Sequence, residues 1–165
     1  MNMGTNPDSK GSKIYDLNEA REKIAAFCAY RERSQVEVRE KLFSYGLIPE
    51  VVDELIMELI QQNFLNEERF ARAFVRGKFR IKKWGRQKIR NALYRHGLSV
   101  YVLQKAFEEI DDKAYDNTLN DLLEKKYRET RDLNVFRKKG RVARWLISRG
   151  FEPDIVWDKL KQVSD

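Results

Sequence analysis

This sequence predicts an all-α fold: three tandem three-helix repeats stacked into an elongated, curved array. Three observations lead there. Proline occurs only at Pro7, Pro49 and Pro153, so almost the whole chain is free to be helical. Apolar residues recur at intervals of three and four instead of alternating, as in Ile24, Phe27 and Cys28, or Val51, Val52, Leu55, Ile56 and Leu59. The chain also repeats itself: Leu42-Phe43-Ser44-Tyr45-Gly46-Leu47, Leu93-Tyr94-Arg95-His96-Gly97-Leu98 and Leu146-Ile147-Ser148-Arg149-Gly150-Phe151 place glycines 51 and 53 residues apart.

The match extends outward from each glycine. Val38, Ile89 and Val142 stand eight before it, and Leu42, Leu93 and Leu146 four before. Val51-Val52, Val102-Leu103 and Ile155-Val156 stand five and six after, Ile56, Phe107 and Leu160 ten after, and Leu59, Ile110 and Val163 thirteen after. Glycine ends a helix in the left-handed conformation at little steric cost, and the apolar residue after it folds back onto that helix. A new helix then begins: Pro49 and Pro153 suit its first position and Ser99 its cap. Upstream, Ser34 with Glu37 reads as a capping box, and Gly85 caps the matching helix of the second repeat.

Each repeat carries one more helix ahead of this pair, at about residues 18–30, 67–81 and 112–127. Asn66 suits the cap of the second. The loops after these first helices vary in length. In the third repeat Gly140 and its flanking Lys138, Lys139 and Arg141 blur the start of the middle helix, and Lys159 takes the place of Leu55 and Ala106, as expected of a terminal repeat facing solvent. The predicted organisation is a loose tail over 1–15 and repeats over 16–63, 64–110 and 111–165. A unit of about 50 residues is marginal alone, so neighbouring repeats must share their cores.

Composition excludes several function classes. The 165 residues hold one cysteine, Cys28, and one histidine, His96, so no disulfide, Cys-based zinc cage or His pair can form. Cys28 reads as a core thiol and His96 as a residue at a helix end. The glycines are scattered singly, without a phosphate-binding loop. Neither catalytic residues nor a metal or other cofactor is expected, and the chain does not read as an enzyme. No apolar run reaches the length of a membrane span, and residues 1–12 lack the apolar stretch of a signal peptide; the expected location is the cytoplasm.

Charge is segregated along the chain. The net +7 is what remains of two basic blocks set against acidic ones. Residues 69–107 hold 12 basic side chains and no acid, and residues 125–149 hold 10 basic and 2 acidic. A solvated helix face normally mixes signs, so the central block suits a polyanion: phosphate oxygens or an acidic partner groove. Its candidate contact residues are Arg72, Arg76, Lys78, Arg80, Lys82, Lys83, Arg86, Lys88 and Arg90. Phe79 and Trp84 lie among them and could stack on nucleobases, although packing at a turn is the plainer role for Trp84. Phe70, Phe74, Ile89 and Leu93 are expected in the core. A second basic patch comprises Arg137, Lys138, Lys139, Arg141 and Arg144, either extending the first surface or forming a separate site.

The residues also resemble a known family. Leu65-Asn66-Glu67-Glu68-Arg69-Phe70-Ala71-Arg72-Ala73-Phe74, with Trp84-Gly85-Arg86-Gln87-Lys88-Ile89-Arg90-Asn91-Ala92-Leu93 and Gly97-Leu98, resembles the central signature of the RecX family. Ala29-Tyr30-Arg31-Glu32-Arg33-Ser34 and Val38-Arg39-Glu40-Lys41-Leu42 resemble its first repeat. The resemblance runs from about Ala20 to Val163, with Asn66 where the family often has Asp. It implies a non-enzymatic bacterial regulator of the RecA recombinase, built from three-helix repeats, acting in DNA repair and the SOS response. Such a protein binds the RecA–DNA filament and dampens its growth, ATP hydrolysis and strand exchange. Weak, unselective binding to single- or double-stranded DNA and a monomeric state are expected with it. Two other readings stay open: a stand-alone helical-repeat DNA-binding protein, selective for duplex sequence, and a protein-only scaffold.

Overall fold

The computed structural model of this chain describes residues 14–164, and over them it is all-helical. Of the predicted tail, residues 1–13 lie outside the described ones. Tyr15 is anchored, its N–H donating to the Tyr45 carbonyl at 3.2 Å and its ring set edge-on to that of Tyr45.

The described chain divides after Asn66. The first unit holds α1 (Leu17–Tyr30), α2 (Gln35–Ser44) and α3 (Pro49–Gln61). The expected capping box is present, with Ser34 Oγ accepting from Glu37 N and the Glu37 carboxylate from Ser34 N; Asp16 and Glu19 repeat it on α1. Pro49 opens α3. Ala20, Ile24 and Cys28 of α1 meet Val38 and Leu42 of α2 and Val52, Leu55, Ile56 and Leu59 of α3 in one buried cluster.

The second unit holds six helices around one core: α4 (Glu67–Arg80), α5 (Arg86–Tyr94), α6 (Val100–Phe107), α7 (Asp112–Glu129), α8 (Val135–Ser148) and α9 (Pro153–Gln162). Ser99 caps α6, Gly85 stands at the cap of α5 and Pro153 opens α9. Gly46, Gly97 and Gly150 have φ of +82°, +61° and +96°, the left-handed turn their spacing predicts. Every apolar position of the repeat is buried or half-buried.

The first helices align better than the sequence suggests. Their buried residues sit at i, i+4 and i+8 each time: Ala20, Ile24 and Cys28, then Ala71, Val75 and Phe79, then Tyr115, Leu119 and Leu123. Ile24 and Val75 each stand 22 residues before their glycine, but Leu119 stands 31 before Gly150. The extra nine residues lengthen α7 at its end and α8 at its start. Gly140 therefore does not mark a helix start, because α8 begins at Val135 and runs through it. Lys159 does not face solvent either: it is half-buried, with its ammonium 2.5 Å from Asp116 of α7. Phe79 is a core residue stacked on Tyr115 and is closed to a nucleobase.

The two repeats of this unit interlock where α5 starts and α8 ends. Gly85 N donates to the Arg149 carbonyl at 2.8 Å and Gln87 N to the Gly150 carbonyl at 3.0 Å. The orphan donors of one helix thus meet the orphan acceptors of another. Beside them the buried Tyr115 hydroxyl donates to Glu152 at 2.5 Å and accepts from Arg86 N at 3.1 Å. Burial first, and then the Glu152 carboxylate, push the phenol above its ordinary range and keep it protonated.

Candidate polyanion-binding surface

The central basic block reaches the surface in three states. Arg72 and Arg76 are held by acids from just outside the block. Arg72 bonds Glu68 at 2.9 Å, Glu109 at 3.2 Å and Glu108 at 3.3 Å, and Arg76 bonds Glu109 at 3.1 Å. The Glu68 bond is the main cause that raises the Arg72 pKa above its ordinary value. Glu108, bonded by Lys105 and by Arg72, is held below the usual carboxylate range. Packing of α4 against α6 brings these acids in, so the acid-free stretch of sequence is not an acid-free surface.

Arg86, Lys78 and Lys88 pack on aromatic rings. The Arg86 guanidinium lies 3.9 Å over the Tyr115 ring and bonds Asp112 at 2.6 Å. Lys78 and Lys88 hold their ammonium groups 4.8 and 4.6 Å from the Trp84 ring centre. Trp84 is half-buried against the core, and the two cations add attraction to its π-face.

Four further candidate residues form the uncompensated part. Arg80, Lys82, Lys83 and Arg90 are exposed, and among the described residues none has an ion-pair partner; Arg90 lies 5.0 Å over Phe107. Lys83 has φ +55°, a left-handed conformation that costs a non-glycine residue about 1 kcal/mol. The Arg149 guanidinium donates to the carbonyls of Lys82 and Lys83 and braces this turn. Sequence reasoning missed Arg149 as a site residue, although the repeat register flags it: Tyr45 and His96, the residues before the other two glycines, are both buried.

The second basic patch divides. Lys139 turns away and donates to the Val163 carbonyl at 3.0 Å, and Arg144 is exposed. Arg137 and Arg141 each stand 3.5 Å from Asp132, and Lys138 lies 3.9 Å over Tyr127. About 18 Å of α8 separates Arg137 from Arg149 at 1.5 Å per residue, so this cluster and the Lys82–Lys83 turn lie at opposite ends of the helix.

Fold and surface together define a protein of tandem three-helix repeats carrying uncompensated cations on its surface. Among the described residues no helix is long and apolar enough to cross a membrane. The profile of the second three-helix domain of RecX matches residues 66–106, and that of the third matches residues 114–160, together more than half of the chain. The chain belongs to the RecX family. The regulatory protein RecX of Prosthecochloris aestuarii is 29% identical over 90% of this chain and 95% of its own length. That of Clostridium perfringens (strain 13) is 30% identical over 74% of this chain, which spans 58% of that relative. The crystal structure of RecX from Lactobacillus salivarius superposes with a TM-score of 0.77 at 22% identity, over 89% of this chain and 97% of that one. Another crystal structure of regulatory protein RecX gives a TM-score of 0.79 at 20% identity, over 89% and 73%. These two structures share the fold.

Proposed function

We propose that this chain is a non-enzymatic regulator of the RecA recombinase. It acts in the cytoplasm as a monomer, binds the RecA–DNA filament and restrains its growth, ATP hydrolysis and strand exchange. Membership in the RecX family supports the reading. The observation that carries it is the uncompensated run of Arg80, Lys82 and Lys83, joined by Lys78 and Lys88 around Trp84; Arg90, over Phe107, adds a further unpaired cation on α5. Arg can pair in a bidentate way with carboxylate or phosphate, while Lys acts as a point charge. Arg72, Arg76 and Arg86 serve the fold first and contribute to the field around the site.

The mechanism is differential binding: a ligand that contacts one filament state better than another shifts the balance between them. The test adds purified protein to RecA on single-stranded DNA and follows ATP hydrolysis and filament length. Both should fall, and replacing Lys82, Lys83 and Lys88 by Glu should restore them. Unchanged hydrolysis and length at saturating protein would sink the reading.

A further inference from the structure

The nine residues by which the third repeat exceeds the other two build a feature that the other two lack. The added turns of α7 and α8 carry a loop between them, and an open groove of about 630 Å³ runs along their tip. Five of its lining residues are basic: Arg128, Arg131, Arg137, Lys138 and Arg141. Asp132 is its one acid.

The groove is firmly built. Thr130 Oγ1 donates to the Lys126 carbonyl at 2.8 Å at the end of α7, and Asn134 Oδ1 accepts from Arg137 N at 2.9 Å at the start of α8. Asp132 has a side chain only 7% exposed and accepts from Asn134 N at 3.0 Å. It faces two guanidinium groups, each at 3.5 Å. That is longer than a charge-assisted hydrogen bond, so Asp132 orients Arg137 and Arg141 without consuming their donors. Arg128 and Arg131 have no ion-pair partner among the described residues. One acid against five bases leaves the groove strongly cationic.

We propose that this groove is a binding site for adjacent phosphate groups, separate from the Lys82–Lys83 surface and independent of the RecA reading. The fork of a guanidinium matches phosphate oxygens, and four such forks with one ammonium suit two or three phosphoryl groups in a row. Two sources share that chemistry: a free nucleoside triphosphate and the backbone of a nucleic-acid strand. A carboxylate-bearing peptide presents single charges at wider spacing and matches the set less well.

The test uses the full chain at low ionic strength, where such contacts are strongest. Binding of inorganic tripolyphosphate, of ATP and of a labelled single-stranded oligonucleotide is titrated against the wild type, Arg128→Gln/Arg131→Gln and Lys82→Gln/Lys83→Gln. Neither Arg128 nor Arg131 pairs within the fold, so the first variant should fold normally, which circular dichroism checks. It should lose roughly tenfold in affinity, as expected for two solvent-exposed ionic contacts. Loss for tripolyphosphate and ATP assigns the free polyphosphate, and loss for the oligonucleotide alone assigns the strand. Equal binding by wild type and this variant overturns the proposal. So does an equal loss of tripolyphosphate binding in the Lys82→Gln/Lys83→Gln variant, or binding of a poly-glutamate peptide as tightly as tripolyphosphate.

Discussion

The backbones of Gly85 and Gly150 meet with no room for a side chain between them. A Cβ on Gly85 would lie 2.2 Å from the Gly150 carbonyl carbon, and one on Gly150 would lie 2.3 Å from the Lys88 Cβ. Only backbone this bare lets the start of α5 reach the carbonyls at the end of α8. Gly85→Ala should therefore force the two repeats apart and destabilise the second unit by about 3 kcal/mol, at the upper end of overpacking costs. Urea denaturation measures it. Gly77→Ala is the control: it sits within α4 with nothing within 4 Å of the added Cβ, and should raise stability by up to about 1 kcal/mol.

Tyr115 fixes the same junction from the side. Tyr115→Phe keeps the ring contacts with Phe79 and Phe151 but removes the hydroxyl. Arg86 N then loses its acceptor and Glu152 its donor. Unsatisfied groups of this kind cost about 1–3 kcal/mol, and the same denaturation series should show a loss of that order.

Much of the helical register was legible because glycine, proline and cap residues act locally. Gly46, Pro49, Ser34 and Ser99 each fix their own turn, and their structures follow from their identities. The charge pattern was less legible, because neutralisation is tertiary. Arg72 finds Glu108 and Glu109 more than 30 residues away, through the packing of α4 on α6. The nine-residue extension hid for a similar reason. Gly140 resembles a helix boundary, yet α8 is already held from Asn134 onward by its cap and passes through the glycine.

Alkaline pH should weaken the first unit before the second. Burial pushes the Cys28 thiol from its ordinary 9.0 up to about 11. Between those values the unfolded chain releases the proton and the folded chain keeps it, so stability is full below pH 9 and falls as pH rises to about 11. The loss at full ionisation is roughly 2–3 kcal/mol. Tyr45, whose pKa is also raised by burial, starts from 10.0, so the window from pH 9 to 10 belongs to Cys28. Thermal melts across this range should show the drop, and Cys28→Ala should flatten it.

Substitution at Lys83 should separate stability from polyanion binding. Its left-handed backbone favours glycine, and its side chain has no ion-pair partner among the described residues. Lys83→Gly should leave the fold as stable or up to about 1 kcal/mol more stable, since the strain of a Cβ at positive φ is removed. If the lysine is a contact to a polyanion, the same variant should weaken RecA-filament binding and flatten its dependence on salt by about one counterion. Arg72→Gln should do the reverse, losing stability through the released Glu68, Glu108 and Glu109 while changing binding less. Melting temperature and salt-dependent co-sedimentation with RecA filaments, measured on both variants, read the two effects. A Lys83→Gly protein that binds as tightly as the wild type at every salt concentration would remove Lys83 from the surface.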